Sequence, residues 1–175
     1  MSEWLVLIKD VDTKPFLKAY DEAEKFETDI TDRSTQGNNS KQYVVVTESI
    51  TPLALLFHNY IKKINGVGHR DLTKVNGWCV EGYKGSWHRV HNHSLVRENA
   101  EPDEGIACVL YLDVPKGNDR GEFYYIINTE KGNQLNCLMP NKGDLIIMPK
   151  SVWHGVYPQT SEGLRRTLNL DFSYA

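Results

Sequence analysis

The stretch that decides the fold is residues 143–154, which read Gly143-Asp-Leu-Ile-Ile-Met-Pro149-Lys-Ser-Val-Trp-His154. A short apolar run that begins after Gly-Asp and ends at Pro is typical of a buried β-strand. The residues after Pro149 predict a turn, and that turn brings a histidine back beside the strand. Together with the histidines described below, His154 is a candidate metal ligand.

The sequence on either side of this stretch has the same character from residue 74 to the C-terminus. Short apolar or alternating segments follow one another, and each is expected to form a strand. Such closely spaced strands predict a β-sandwich or barrel. The turn residues that separate them lie at Gly85, 97–105, 115–121, 132–133 and 140–143.

The first 73 residues predict an α/β support layer, whose helices should pack on the outside face of the β core. Strands are expected at residues 4–8 and 43–47, a helix from Lys14 to about residue 29, and a loop over residues 31–41. A second helix is expected to begin at Thr51-Pro52, because proline is favoured in a first helical turn. Its apolar stripe should contain Leu53, Leu55, Leu56, Tyr60, Ile61 and Ile64, and it should stop at Gly66 and Gly68. We interpret the 175 residues as one domain, with a support layer at 1–73 and a core at 74–175.

Composition narrows the class of protein. The chain is 40% hydrophobic and 25% charged with a net charge of −3, values that are ordinary for a globular domain. Charges of both signs are interspersed, so neither nucleic acid nor an anionic membrane is an expected partner. Three scattered cysteines and an N-terminus without a signal-peptide pattern favour a reduced, cytoplasmic location. No apolar run approaches the roughly 20 residues that a membrane span needs.

Histidines form the main chemical signal. His88, His91 and His93 fall on one expected strand, where alternate side chains share a face, so His91 and His93 should point together and His88 away. His154 follows about sixty residues later, a separation that suits a ligand from a separate strand. Three imidazoles can hold Fe(II), Cu, Ni or Zn and leave coordination positions open.

The order of these motifs resembles that of the 2-oxoglutarate- and Fe(II)-dependent oxygenase superfamily. The resemblance covers about residues 51–175 and is greatest to a prolyl-hydroxylase-like family of bacteria and phages, in which a tryptophan-containing strand precedes a His-x-His segment. It implies a mainly β fold with a helical N-terminal layer, a double-stranded β-helix (a jelly roll, or cupin-like barrel). It also implies Fe(II), 2-oxoglutarate, dioxygen and a small-molecule or peptide substrate that is hydroxylated. The motifs run Tyr83-Lys-Gly85, His91-Asn-His93, Val109-Leu-Tyr111-Leu, Gly121-Glu-Phe-Tyr, residues 143–149, His154 and Arg165-Arg-Thr167.

The last of these motifs is the most discriminating, because a metal site alone does not require a cation after the distal histidine. On a strand, Arg165 and Thr167 share a face with Asn169 and Asp171, and Arg166 takes the other face with the apolar residues. The resemblance implies that Arg165 holds the far carboxylate of 2-oxoglutarate with help from Thr167, in a pocket that Tyr111 also lines. Arg166 is the alternative if the register is shifted by one residue.

The sequence departs from the superfamily at one ligand, since most members have Asp or Glu where this chain has His93. The site is then a three-histidine variant, or Glu98 or Asp103 supplies the anion, or the fold persists without oxygenase activity. A cupin-type metal-dependent dioxygenase with Glu98 as fourth ligand and a non-catalytic metal-binding β-barrel are the alternatives. The Arg165-x-Thr167 pair favours the oxygenase.

Aromatic residues suggest where a substrate would lie, because their rings supply large, rigid contact areas. A groove for a peptide is the interpretation we draw from this set, although packing in the core explains such residues as well. The aromatic residues in question are Trp78, Tyr83, Trp87, Trp153 and Tyr157.

Overall fold

A computed structural model describes residues 4–28, 39–67, 72–94, 104–117 and 119–174. Within these ranges the chain is mainly β, as expected, with two α-helices and all strand pairs antiparallel. The helices are α1 (Lys14–Glu22) and α2 (Thr51–Ile61), with a 3₁₀ turn at Thr47–Ser49. The strands are β1 (Val6–Ile8), β2 (Lys25–Glu27), β3 (Ser40–Val45), β4 (Leu72–Gly82), β5 (His88–His91), β6 (Gly105–Asp113), β7 (Phe123–Thr129), β8 (Gly132–Leu138), β9 (Leu145–Pro149), β10 (Trp153–Val156) and β11 (Arg165–Tyr174).

Two sheets organise these strands. The larger has seven strands in the order β1-β9-β6-β11-β4-β3-β2, and the smaller has four in the order β5-β10-β7-β8. The stretch at 143–154 contains β9 of the larger sheet and the first two residues of β10 of the smaller sheet, because β9 pairs with β6 and β10 pairs with β5 and β7. The turn after Pro149 therefore carries the chain from one sheet to the other.

The long central strands of the larger sheet separate two apolar clusters. On one face, Leu168, Leu170 and Phe172 of β11 pack with Phe16 of α1 and Phe57 of α2. The opposite face packs against the smaller sheet through a second cluster. Burying each large apolar side chain contributes about 1.5–3 kcal/mol to the stability of the fold. The two clusters therefore hold the larger sheet between the helices and the smaller sheet. The second cluster contains Ala107, Val109, Tyr111, Phe123, Ile146, Met148 and Val152.

Helix α2 begins where the Thr51-Pro52 signal predicts. Its buried residues are Leu53, Phe57 and Ile61, spaced by four, whereas Leu55 of the expected stripe is 61% exposed. The helix ends at Ile61 rather than at Gly66, and Gly68 lies outside the described residues. These three buried residues form a shorter apolar stripe than expected, and through it α2 packs on the sheet.

Helix α1 is shorter than its sequence predicts, since it ends at Glu22 and not near residue 29. Strand β2 follows at once and pairs with β3, so tertiary pairing overrides helix propensity in this segment. The Lys25 ammonium donates to the carbonyl oxygens of Tyr20, Asp21 and Ala23, which satisfies part of the helix end.

The N-terminal strands differ from expectation in place and in bounds, because they extend the larger sheet at its two edges, where β1 pairs with β9 and β3 pairs with β4. The strand expected at residues 43–47 runs from Ser40 to Val45. The loop expected at 31–41 falls mainly outside the described residues, and its last two positions belong to that strand. No helix within the described residues is long and apolar enough to span a membrane.

Candidate metal and cosubstrate site

Three histidines from two adjoining segments meet in the cavity between the sheets. His91 at the end of β5 is the register partner of His154 on β10. His93 follows two residues later, held by a hydrogen bond from its backbone N–H to the carbonyl of Lys150 at 2.8 Å. One nitrogen from each ring lies within 4.8 Å of the other two, a spacing that fits a single metal ion.

Hydrogen bonds at the far side of each ring fix which nitrogen faces the cavity. The Nδ1 atoms of His91 and His154 lie 2.9 Å from the carbonyl oxygens of Arg89 and Val152, and Nδ1 of His93 lies 2.7 Å from Oδ1 of Asp171. Each of these oxygens accepts a hydrogen bond, so Nδ1 carries the proton and Nε2 is left as the ligand atom. Nε2 of His93 and Nε2 of His91 are 3.2 Å apart, and a cation between the rings would stabilise this approach.

Burial favours the neutral form of two of these rings, His91 and His154. Loss of hydration lowers the pKa of His91 to about 4, to which the neighbouring His93 also contributes. The same cause lowers the pKa of His154 well below its usual value, because that ring is buried beside two other imidazoles. Metal binding requires unprotonated imidazole, so both rings are ready to ligate at neutral pH.

His88 lies on the same side as the other histidines, contrary to the prediction that it would point away. Between the pairs His154–His91 and Val156–His88, β5 advances three residues while β10 advances two. This bulge breaks the alternation on which the prediction rested. The His88 ring is 4.3 Å from that of His91 between centroids, and burial lowers its pKa to about 3. It lines the cavity without joining the group of three ligand atoms.

Glycine at position 155 permits the close packing of these strands. A Cβ atom there would collide with the Tyr124 ring and lie 2.8 Å from the carbonyl oxygen of His88. The absence of a side chain lets β5 and Tyr124 approach the residue next to His154.

Residues of the larger sheet form the opposite wall of the cavity. Arg165 at the start of β11 is 7% exposed, and its Nη2 donates to the Ser86 hydroxyl at 3.2 Å. Tyr111 on β6 is fully buried at the same wall. The full lining comprises Ser40, Trp78, Val80, Trp87, His88, His91, His93, Val109, Tyr111, Phe123, His154, Val156, Arg165, Thr167 and Asn169.

Two buried polar atoms on this wall have no partner among the described residues, namely Nη1 of Arg165 and the hydroxyl of Tyr111. Burial lowers the pKa of Arg165 and raises that of Tyr111, and each acts on the other electrostatically. An unmatched buried donor costs about 1–3 kcal/mol. Both atoms, which lack a partner among the described residues, could donate to a carboxylate, because a carboxylate accepts several hydrogen bonds at once.

The other residues of β11 take the faces that alternation predicts. Thr167 and Asn169 line the cavity, and Asn169 donates to the Thr167 hydroxyl at 3.3 Å. Arg166 lies on the opposite face and pairs with Asp113 at 2.7 Å, so it does not reach the cavity. Asp171 also falls on the predicted inner face, but its pairing with His93 was not anticipated.

The aromatic residues singled out from the sequence divide into two groups. Trp78 and Trp87 line the cavity, whereas Tyr83, Trp153 and Tyr157 are 44%, 47% and 38% exposed. Trp87 also borders an open groove beside the cavity. The groove is lined by Trp87, His88, Arg89, Val90, Tyr124, Val156, Tyr157 and Pro158. The alternative acidic ligands, Glu98 and Asp103, lie outside the described residues.

Comparison with known proteins indicates the fold. No protein-family model matches the sequence. Curated proteins provide no match either. Among solved structures, the fold is similar to an oxidoreductase of the 2OG-Fe(II) oxygenase family from Burkholderia pseudomallei, with a TM-score of 0.69 and 15% identity over 97% of this chain and 84% of that one.

Two further structures have the same likeness. A prolyl hydroxylase from Trichoplax adhaerens, in complex with a peptide fragment of the hypoxia inducible factor oxygen degradation domain, gives a TM-score of 0.67 at 16% identity, over 97% of this chain and 83% of that chain. HygX from Streptomyces hygroscopicus, with nickel and 2-oxoglutarate bound, gives a TM-score of 0.67 at 14% identity, over 98% of this chain and 83% of that chain. HygX has also been solved with hygromycin B. The chain therefore has the fold of 2-oxoglutarate-dependent oxygenases.

Proposed function

We propose that the protein is a 2-oxoglutarate- and Fe(II)-dependent dioxygenase that hydroxylates its substrate. The observation that carries the proposal is the presence, in one cavity, of three converging imidazoles and of two buried donors that have no partner among the described residues. The imidazoles suit a divalent metal, and the donors suit the carboxylate of a cosubstrate. A metal-binding protein without a cosubstrate would not need the second feature.

The fold supports the same proposal. The two sheets and the helical layer match oxygenases along almost the whole chain, so we interpret residues 1–175 as one domain whose sheets form a double-stranded β-helix. Its support layer is residues 1–73 and its core residues 74–175. In this arrangement the metal ligands come from the smaller sheet and the loop beside it, and the cosubstrate residues from the larger.

His91, His93 and His154 would hold the metal through Nε2, on one side, and leave the positions toward Arg165 open. Arg165 would bind the distal carboxylate of 2-oxoglutarate through Nη1, assisted by the Tyr111 hydroxyl and Thr167. When bound, Fe(II) and 2-oxoglutarate supply the oxidation, in which substrate C–H, dioxygen and 2-oxoglutarate give C–OH, succinate and carbon dioxide. Trp78, Phe123 and Val109 would exclude water from the cavity.

The substrate we propose first is a peptide side chain, with a small molecule as the second choice. The open groove beside the cavity supports this order, because Trp87, Tyr124 and Tyr157 give it an aromatic wall next to the histidines. Structures with the same fold hold a peptide in one case and hygromycin B in another.

A second candidate function is a cupin-type dioxygenase that acts without 2-oxoglutarate. The observation that favours it is the group of three converging imidazoles, since non-haem Fe(II) oxygenases commonly have two imidazoles and one carboxylate. Oxygen consumption with a substrate but without 2-oxoglutarate would support this function over the first. A non-catalytic metal-binding protein would bind the ion without consuming oxygen.

The proposed function is tested by loading the protein with Fe(II) without oxygen and adding 2-oxoglutarate. We expect a weak visible charge-transfer band, and succinate once air is admitted. His91→Ala and His154→Ala should abolish the band, because each removes a ligand. His58→Ala is the matched control, since that histidine lies on α2 and should leave the band unchanged. Absence of the band in the wild type, or its persistence in both ligand variants, would contradict the proposal.

A further inference from the structure

The feature that the proposed function does not explain is a buried hydrogen-bonded pair between His93 and Asp171. Nδ1 of His93 is 2.7 Å from Oδ1 of Asp171, and the two side chains are 7% and 11% exposed. Asp171 lies on β11, between Ala107 of β6 and Asn76 of β4. Within the described part of the chain, this is the sole ion pair that Asp171 forms, so the carboxylate has no lysine or arginine to balance it.

The three imidazoles are not equivalent in this respect. Nδ1 of His91 and Nδ1 of His154 donate to neutral backbone carbonyls, of Arg89 and Val152. Only His93 donates to an anionic group. A carboxylate behind a ligating imidazole fixes the ring and raises its basicity, which a carbonyl does less strongly.

Charge explains why a carboxylate at this position would matter. A buried carboxylate is costly unless positive charge lies nearby. Three neutral imidazoles leave the whole charge of a divalent metal uncompensated within the ligand shell. A metal on Nε2 of His93 and the carboxylate on its Nδ1 would therefore stabilise each other through the ring.

We propose that Asp171 is a positioning residue for the metal, holding the His93 ring in its ligating orientation and supplying, through that ring, the negative charge that the three imidazoles lack. The inference rests on the proposed function only in requiring that these histidines bind a metal. The centre would then be a three-histidine site in which the anion is hydrogen-bonded to the far nitrogen of one ligand ring and does not touch the ion. Glu98 and Asp103 would then not be needed as ligands.

Two substitutions at the same position separate orientation from charge. Asp171→Asn keeps an oxygen that can accept the Nδ1 proton but removes the charge, whereas Asp171→Ala removes both. The matched control is Asp113→Asn on β6, which removes an acid from the opposite face of the same sheet, where it pairs with Arg166. Thermal denaturation in the presence of a chelator establishes that each variant is folded.

The measurement is the affinity for Co(II) alone, obtained by competition with a chelator and read from the visible bands of the bound ion. We expect affinity to fall about tenfold in Asp171→Asn and up to about 100-fold in Asp171→Ala, with altered bands in both. Asp113→Asn should stay within about twofold of the wild type, because it contacts no ligand. Wild-type affinity and unchanged bands in both Asp171 variants would overturn the inference.

A second measurement needs no metal. Proton NMR of the metal-free protein should show a downfield Nδ1–H signal from His93, which Asp171→Ala removes and Asp113→Asn retains. A signal that is absent from the wild type, or unaffected by Asp171→Ala, would also overturn the inference. Neither measurement uses 2-oxoglutarate, so a protein that binds Co(II) as expected but never turns over 2-oxoglutarate would refute the proposed function alone.

Discussion

The two faces of β11 differ in the chemistry of their buried side chains, although they belong to one strand. Leu168, Leu170 and Phe172 face the helices and are between 0% and 2% exposed in a hydrophobic cluster. Arg165 and Asp171 face the smaller sheet and are also buried, at 7% and 8% exposure. The strand therefore buries apolar side chains on one face and charged side chains on the other.

The difference teaches where to look for function in a buried surface. An apolar face is stabilised simply by leaving water, whereas each buried polar group needs a partner. On the inner face some partners are present, as Asp171 has His93 and Asn169 has Thr167. Nη1 of Arg165 and the neighbouring Tyr111 hydroxyl have none among the described residues, which is why we propose that a cosubstrate binds there.

The largest expected effect comes from the outer face. Leu168→Ala removes a fully buried side chain between the sheet and the helices, and we expect the free energy of unfolding to fall by about 3 kcal/mol. Urea denaturation measures it. Leu135→Ala on β8 is the matched control, because that leucine is 58% exposed and should change stability by less than about 0.5 kcal/mol. Similar losses of unfolding free energy in the two variants would show that burial on the outer face of β11 does not stabilise the fold as expected.

The inner face is tested by two adjacent arginines. Arg165→Ala should weaken 2-oxoglutarate binding to the metal-loaded protein about 100-fold, equivalent to roughly 2.7 kcal/mol, because it removes a buried charged donor. Arg166→Ala should leave the affinity within about twofold, since that side chain pairs with Asp113 on the other face. Anaerobic titration of the visible band measures both. Equal weakening by the two substitutions would show that β11 does not divide in this way.

A smaller effect is expected from the pH dependence of stability in the metal-free protein. The folded-state pKa of His91 is lowered to about 4, so between about pH 6.5 and 4 the unfolded chain binds a proton that the folded chain refuses. The stability that the neutral His91 ring contributes is therefore fully present above its unfolded-state pKa, and it is lost as the pH falls toward its folded-state pKa. Between about pH 7 and 5 the loss for this ring should be about 1–2 kcal/mol, reduced where water still reaches it.

Urea denaturation at the two pH values, with a chelator present, provides the test. His91→Asn should show a shallower dependence on pH, because it removes one of the rings that must stay neutral. His58→Asn on α2 should keep the wild-type slope. A wild type that gains stability as the pH falls through this window would mean that the cavity facing β11 does not bury neutral histidines.

Patterns with a fixed period predicted the parts of the molecule that follow that period. Alternation along β11 placed Arg165 inside and Arg166 outside, and the structure shows both on those faces. The Thr51-Pro52 signal located the start of α2 because a helical first turn has a local chemical requirement. His91, His93 and His154 were also expected to converge, and the structure brings them together.

Features that depend on tertiary pairing were not predictable in the same way. A bulge in β5 turns His88 toward the other histidines, and the sequence of that segment contains no signal that predicts a bulge. Helix α1 ends early because β2 pairs with β3, a contact between separate parts of the chain. Asp171 lies 78 residues from His93, so its inward face could be read from alternation while its partner could not.

The central claim, that the histidines and the inner face of β11 form one centre, is tested most directly by a crystal structure of the protein with Mn(II) and 2-oxoglutarate, grown without oxygen. We expect the ion on Nε2 of His91, His93 and His154, with the distal carboxylate of 2-oxoglutarate against Arg165 and Tyr111. An ion held elsewhere, or a cosubstrate that leaves Nη1 of Arg165 without a partner, would contradict the account.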